Sequence, residues 1–171
     1  MIHFEAENWL AVDISKVFAF FADPRNLPPI MPAPFGTRIK SLKLVPPPGT
    51  EDQGVEKMAG MGSEIALSFR VLPPLPFRVT WVALITEFRW NSYFTDIQRR
   101  GPMKSWHHSH EFSRASKNGV SGTLVRDIVD VEPGYGFPGK LFGGIMIPTQ
   151  LQLSFAYRQK KVEQLILAQR G

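Results

Sequence analysis

The 171-residue chain contains no cysteine, and this absence removes several kinds of chemistry at once. Without a thiol there is no disulfide, no thiolate nucleophile and no cysteine-ligated zinc site. Long hydrophobic runs are also missing. No apolar stretch reaches the ~18 residues that a membrane-spanning helix requires, and the N-terminus shows neither a basic leader nor a signal-type hydrophobic core. We therefore expect a cytoplasmic protein without stable membrane insertion.

The chain also lacks clusters of basic residues. There are 20 Lys and Arg against 15 Asp and Glu, a net charge of +5, which by itself suggests nucleic acid or an anionic membrane as a partner. The basic residues are scattered, however, apart from Arg99 with Arg100 and Lys160 with Lys161, and no basic run alternates with aromatic residues that stack on bases. These features predict a mildly basic, solvated surface and no nucleic-acid binding.

Motifs for phosphate binding and covalent catalysis are absent as well. The glycine-rich segment 134–144 is not followed by the Gly-Lys-Ser/Thr of a phosphate loop, and no Gly-x-Ser-x-Gly motif occurs. We expect no bound cofactor. This segment is interpreted as a flexible lead into the last helix, and one hypothesis is that its Phe137, Leu141 and Phe142 act as a lid over a cavity mouth.

What remains is the composition of a folded domain. Apolar residues make up 43% of the chain and charged residues 20%, which is typical of a globular protein. The length suits a single domain over residues 1–171, with enough material for a core and an enclosed cavity. The oligomeric state is left open, because the proline-rich loops are compatible with either an interface or a free surface.

Hydrophobic periodicity predicts the order of the elements. An alternating strand over residues 2–10 is followed by two short helices, which begin at caps near Asp13 and Asp23. About six consecutive strands come next, and a helix free of glycine and proline covers residues 149–169. Strands joined by short turns form an antiparallel meander, and the large helix must cover one face of it. The predicted fold is α+β, a curved sheet of about seven strands around a C-terminal helix, with a groove between them.

Titratable side chains are concentrated in the segment 94–112, FTDIQRRGPMKSWHHSHEF. It contains three of the four histidines, between two strand-like runs that flank a Gly-Pro turn. At period two, Trp106, His108, His110 and Phe112 share one strand face. The two large aromatic residues should choose the buried face, and they carry both histidines inward with them. The sequence therefore predicts a polar patch on the inner wall of the sheet.

Other side chains are predicted to reach the same groove. Across the hairpin, Asp96 approaches the histidines to ~5 Å if the register allows. Asp127 lies on a valine-rich strand face, which favours an inward position, and Trp81 is either core or cavity wall. The helical phase does not decide whether Tyr157 or Arg158 faces the groove or the solvent. The predicted ligand-binding residues are Trp81, Phe94, Gln98, Trp106, Asp127, Phe142 and Tyr157.

Four segments carry a resemblance to a known family. They are VFAFFADPRNL at residues 17–27, the histidine-rich segment 94–112, GTLVRDIVDVEPG at 122–134 and FAYRQKKVEQL at 155–165. With these segments the chain resembles, over nearly its whole length, the ligand-binding SRPBCC proteins. This helix-grip superfamily includes START lipid-binding domains, birch-pollen-allergen-like proteins and polyketide cyclases or dehydrases. The resemblance implies a helix-grip fold with a cavity for a hydrophobic small molecule; many members of this branch have no established reaction.

The first functional hypothesis is a binding or carrier protein. An apolar meander with a single polar cluster is what a cavity for a lipid-like, polyketide-like or aromatic ligand requires. The expected partner is therefore a hydrophobic small molecule.

The second hypothesis is an enzyme of the cyclase or dehydratase type. In this interpretation His108 or His110 transfers a proton, and Asp96 orients the imidazole, because a histidine titrates near neutral pH. A simpler alternative is that the acidic and imidazole groups only satisfy one another as a structural network, since buried polar groups are normally paired.

The third hypothesis is a metal site. His108 and His110 place two imidazoles on one strand face, and Asp96 or Asp127 would have to supply a third ligand. Because two histidines are too few for a tight zinc site, we expect no metal.

Overall fold

The computed structural model describes residues 1–48, 57–70, 75–134 and 136–168, with the backbone alone over residues 136–145. In chain order, the strands are β1 Ile2–Leu10, β2 Arg38–Lys43, β3 Glu64–Arg70, β4 Arg78–Arg89, β5 Tyr93–Arg100, β6 Ser105–Lys117 and β7 Val120–Glu132. The α-helices are α1 Ile14–Ala22, α2 Leu27–Ile30 and α3 Gly136–Ala168, and single 3-10 turns cover Pro24–Asn26 and Ala33–Phe35.

All seven of these strands form one antiparallel sheet, in the order β1-β7-β6-β5-β4-β3-β2. From β2 to β7 each strand pairs with the next one in the chain, as predicted for a meander, and β1 pairs with β7. The β6–β7 turn illustrates how the sequence determines this pairing. Asn118 and Gly119 have φ values of 53° and 78°, and two central residues with positive φ are what a type I′ hairpin turn requires.

The two short helices lie between β1 and β2, where the sequence predicts them. Asp13 caps α1 by accepting a hydrogen bond from the Ser15 amide at 2.9 Å, which satisfies an amide that the first helical turn leaves free. On the buried side of α1, Phe18 is fully buried, and its ring packs against aromatic rings of β4, β5 and β6. The same helix carries Phe21 to within 5.8 Å of the His110 ring. Helix α1 therefore closes one side of the space in front of the histidines.

Helix α3 covers the inner face of the sheet. The Phe155 ring lies 5.1 Å from Phe4 of β1 and 5.7 Å from His108 of β6, centroid to centroid. The Gln159 side-chain amide donates to the Glu7 carbonyl of β1 at 2.9 Å, which ties the helix to the edge of the sheet. This arrangement is the predicted helix-grip fold. Among the described helices, none has the length and apolar character needed to cross a bilayer.

One prediction about α3 is wrong. The glycine- and proline-rich segment before residue 149 was expected to lead flexibly into the helix, but the helix begins at Gly136 and includes Pro148. A proline inside a helix removes one hydrogen bond, and each glycine costs ~1 kcal/mol relative to alanine. Next to the proline, Ile147 packs against the Val129 and Leu151 cluster between helix and sheet, and tertiary packing of this kind supplies most of the stability of a helix in a protein.

Candidate functional site

The β5–β6 hairpin positions the histidine-rich segment. At the turn of this hairpin, Gln98 makes two hydrogen bonds to the Met103 backbone. The Gln98 side-chain Nε2 donates to the Met103 carbonyl at 2.8 Å, and the Gln98 Oε1 accepts from the Met103 N–H at 3.1 Å. A side chain at Gly101 would collide with Gln98, so the glycine is required for this contact. The resulting register pairs Asp96 with His108. This is a register that brings Asp96 close to the histidines, as the sequence analysis required. Gln98 therefore fixes the turn.

Two histidines and two aspartates form a compact cluster on the inner face of the sheet. Asp96 lies on β5, His108 and His110 on β6, and Asp127 directly opposite His110 on β7. Both histidines and Asp127 are at most 5% exposed, which confirms the predicted inward positions. The imidazole centroids are 4.0 Å apart, so the two rings are in contact between the carboxyl groups. We call these four residues the His–Asp cluster.

Asp127 lies closest to both imidazoles. Its Oδ1 is 3.2 Å from His108 Nε2, as a hydrogen bond, and 2.6 Å from His110 Nδ1. The shorter contact is not aligned as a hydrogen bond, and His110 Nδ1 has no hydrogen-bond partner among the described residues. Asp96 lies farther away, with its Oδ2 3.5 Å from His108 Nδ1 and 4.0 Å from His110 Nε2. Each imidazole therefore has one nitrogen facing Asp127 and the other facing Asp96.

The two carboxyl groups differ in their ionisation. Burial raises the pKa of Asp96, and the nearby positive charges do not fully reverse the effect. Burial also acts on Asp127, but the electrostatic effect of the adjacent His110, the charge of Arg158 and the hydrogen bond from His108 outweigh it and hold the pKa of Asp127 well below its usual range. A carboxylate only accepts hydrogen bonds, so His108 Nε2, which is hydrogen-bonded to Asp127, must carry the hydrogen. The cluster thus pairs a readily ionised acid with one that binds its proton more tightly.

Burial lowers the pKa of His110 to about 3, with the neighbouring His108 adding to the shift. The unfolded chain, in which a histidine titrates near ~6.5, therefore binds this proton more tightly than the folded protein does. It follows that the free energy of unfolding should fall as the pH drops from ~6.5 towards 3. Asp127 acts in the same direction below its unfolded pKa, whereas Asp96, whose pKa is raised, acts in the opposite direction.

We expect His110→Gln to flatten this pH dependence, because the variant removes the group that must be kept neutral. Urea unfolding at a series of pH values measures the slope. The matched control is His107→Gln, which removes an exposed histidine from the same strand and should keep the wild-type slope. An unchanged slope in His110→Gln would show that burial of this imidazole does not limit stability in acid.

A cavity of about 280 Å³ lies between the sheet, α1, α2 and α3. The His–Asp cluster forms its polar end, where Asp96, His108 and His110 line the cavity. Asp127 is not among the described residues in the cavity wall; it lies behind the histidines. The rest of the wall is mostly apolar. Its ring-bearing members from the sheet and helices are Phe20, Phe21, Phe35, Phe69, Trp81, Phe94, Trp106 and Phe155.

Only some of the predicted ligand-binding residues line the cavity. Trp81, Phe94 and Trp106 line the cavity, and the two indole rings meet edge to face with centroids 5.0 Å apart. Gln98 and Tyr157 are not among the described residues of the cavity wall: Gln98 holds the hairpin turn, and the Tyr157 ring lies 5.9 Å from the Lys161 ammonium. The side chain of Phe142, like those of the lid residues Phe137 and Leu141, lies outside the described residues.

Of the two α3 residues that the sequence left undecided, Arg158 and not Tyr157 lines the cavity, together with apolar neighbours such as Leu151 and Phe155. Residues 151, 155, 162 and 166 are buried, and position 158 continues that stripe at helical spacing, whereas position 157 lies beside it. The helical phase alone was ambiguous because an arginine is not expected on a buried stripe. The signal was available in the sequence: Phe155 three positions before Arg158 and Val162 four positions after it place residue 158 on the same helix face.

Three of the cluster side chains are also close enough to hold a metal ion. Ligand atoms of Asp96, His108 and His110 all lie within 4.8 Å of one another, so one small cation fits between them geometrically. The positive charge of Arg158, which acts on both aspartates and His110, opposes a cation at this position. Elemental analysis of the purified protein measures the outcome directly.

Comparisons with known proteins support the fold. No protein-family model and no curated protein sequence matches the chain. Among solved structures, TTHA0849 from Thermus thermophilus matches with a TM-score of 0.67 and 15% identity, covering 99% of this chain and 100% of that chain. A START superfamily protein from Mycobacterium smegmatis matches with a TM-score of 0.60 and 11% identity, covering 97% of each chain. Ara h 8.0201 matches with a TM-score of 0.57 and 15% identity, covering 98% of each chain.

Proposed function

We propose that this chain, which has an SRPBCC-type helix-grip fold, binds an apolar or aromatic small molecule in the cavity between sheet and α3. The observation that carries the proposal is the cavity itself, about 280 Å³ in volume, with a mostly apolar wall and one polar end. Small-molecule sites are typically concave and apolar with a few convergent polar groups, and their volumes begin near ~300 Å³. The size favours a compact ligand, such as a one- or two-ring aromatic compound or a short acyl chain.

The neighbours in structure support this proposal by analogy. One of the matching structures is described as a START superfamily protein, and the sequence resembles the branch that includes lipid-binding domains. Because one fold can carry many functions, the site must support the proposal as well as the fold. Here it does, since the cavity lies between helix and sheet, as the resemblance implies.

The expected setting of this binding is also part of the proposal. We place the protein in the cytoplasm, because the lack of cysteine suits a reducing compartment. Its expected partner is the small molecule and not nucleic acid, since the scattered basic residues do not form a nucleic-acid surface.

Native mass spectrometry with a panel of fatty acids, polyketide-like compounds and naphthalene derivatives tests the proposal. We expect at least one compound to bind with one-to-one stoichiometry and to quench the fluorescence of Trp81 and Trp106, which line the cavity. Absence of binding across the panel, together with an apolar core that fills the cavity in an experimental structure, would refute it.

A second candidate function is acid–base catalysis of the cyclase or dehydratase type. The opposite pKa shifts of Asp96 and Asp127 favour it, since enzymes assign acid and base roles to paired groups in this way. The geometry favours a different residue for the role of orienting the imidazoles, which the sequence analysis gave to Asp96. Asp127, behind the imidazoles, is placed to orient them, and Asp96 faces the cavity together with the histidines.

Separate replacement of the histidines distinguishes catalysis from a structural network. A β-hydroxy ketone that binds in the panel is incubated with the protein, and mass spectrometry follows the loss of water. If His108→Gln or His110→Gln abolishes turnover while the variant remains folded, catalysis is supported. If both variants lose stability and no panel compound is converted by the wild type, the cluster is a structural network.

A further inference from the structure

Arg158 is a cation without a charged partner in the described part of the chain. Its guanidinium lies between two phenylalanine rings, 5.3 Å from the centroid of Phe21 on α1 and 5.5 Å from that of Phe155 on α3. Its Nε is buried and has no hydrogen-bond partner among the described residues. A buried donor without an acceptor costs free energy, and the cost is larger when the group is charged. The two rings hold the guanidinium in place without satisfying its Nε–H.

The acids of the His–Asp cluster do not supply the missing partner. Asp127 lies behind the imidazoles and is already in contact with both of them. Asp96 faces the cavity, but no ion pair joins it to Arg158 among the described residues, and burial disfavours its ionised form. Arg158 acts on both aspartates only at a distance, and the polar end of the cavity therefore offers a positive charge that no carboxylate among the described residues contacts.

We infer that the cavity takes ligands that carry a carboxylate, and that Arg158 binds this group. The inference rests on the proposed function and specifies its ligand class. A guanidinium presents several N–H donors in a planar fork that suits the two oxygens of a carboxylate, and such charge-assisted hydrogen bonds are among the strong ones. A carboxylate at this position would also satisfy the buried Nε.

The wall of the cavity indicates the remainder of the ligand. Trp81 and Trp106 meet edge to face in the sheet, and Phe94 lies 4.4 Å from the His110 ring, centroid to centroid. These rings offer aromatic surfaces beside the polar end, and the volume of about 280 Å³ restricts the body of the ligand to a compact one. The geometry thus points to a one- or two-ring aromatic carboxylic acid.

A matched pair of compounds tests the inference with the unaltered protein. We compare 2-naphthoate with 2-naphthamide, which has nearly the same shape and no charge, by isothermal titration calorimetry. The expected result is that naphthoate binds about tenfold more tightly or better, because the charge-assisted hydrogen bonds are lost with the amide. Equal binding, or tighter binding of the amide, would overturn the inference and leave the proposed function standing. If neither compound nor any other panel member binds, both fail.

Variants of Arg158 locate the source of the preference. Arg158→Gln should reduce the naphthoate preference to within about threefold, because it weakens the binding of the charged compound more than that of the amide. Arg158→Lys, which retains the charge, should restore part of the preference and provides a second variant if the first is unstable. Lys160→Gln is the matched control, because it removes a charge from the exposed side of the same helix. A preference that survives in Arg158→Gln, or that is lost in Lys160→Gln, contradicts the assignment.

Discussion

Replacement of Asp127 by alanine is expected to lower the free energy of unfolding by about 3 kcal/mol, the largest effect of any single change in the His–Asp cluster. Asp127 Oδ1 lies 3.2 Å from His108 Nε2 and 2.6 Å from His110 Nδ1, and all three side chains are buried. Without the carboxylate, two buried imidazole nitrogens lose the acceptor that faces them. Each would have to be satisfied by water or remain unpaired.

Graded variants at two positions of β7 make this prediction specific. Asp127→Asn keeps one acceptor oxygen, so its loss of stability should lie between the wild type and Asp127→Ala. Asp130→Asn is the matched control, because Asp130 lies on the outer face of the same strand and, among the described residues, is paired with the exposed His3. Urea unfolding at neutral pH measures all three. If Asp127→Ala is as stable as Asp130→Asn, then the carboxylate does not anchor the cluster.

Replacement of Ala83 by phenylalanine is expected to weaken ligand binding by tenfold or more while the protein remains folded. Ala83 is buried on β4, and its side chain lines the cavity beside Ile65 of β3. An aromatic ring at this position would occupy the space that the ligand needs. In a filled core, such an enlargement costs roughly 1–3 kcal/mol; in front of an open cavity, we expect a change in stability of less than about 1 kcal/mol.

The matched control for Ala83→Phe is Val82→Phe. Val82 is the preceding residue of β4 and lies on the other face of the sheet, so the same ring is added without entering the cavity. Calorimetric titration with the tightest panel ligand and thermal unfolding are measured for both variants. Strong destabilisation of Ala83→Phe with unchanged binding in the folded fraction would mean that the space beside Ala83 is core.

Much of the fold could be predicted from the sequence, because its signals are local. Period-two alternation placed His108 and His110 inward, and the structure confirms this with exposures of 5% and 4%. The turn residues predicted a meander, and Asn118 with Gly119 shows the backbone that such a turn requires. The inward position of Asp127, weakly favoured by its valine neighbours, is also confirmed.

The parts that could not be predicted depend on packing between distant elements. Asp96 and Asp127 were both candidates for the carboxylate next to the histidines, and only the three-strand register shows that Asp127 lies behind them and Asp96 on the cavity side. Arg158, and not Tyr157, lines the cavity because position 158 continues the buried stripe of α3, and an arginine on such a stripe goes against the usual apolar character of buried positions. The early start of α3 at Gly136 was missed because the glycine and proline residues before position 149 have unfavourable helix propensities.

The central claim is that a ligand occupies the cavity between sheet and α3. A crystal structure of the protein grown with 2-naphthoate or 2-naphthamide, whichever binds more tightly, tests it most directly. We predict electron density for the naphthalene rings inside the cavity, in contact with Trp81 and Trp106, with the substituent directed towards the His–Asp cluster and Arg158. A cavity filled by the protein's own side chains, with the compound bound only on the outer surface, would contradict the claim.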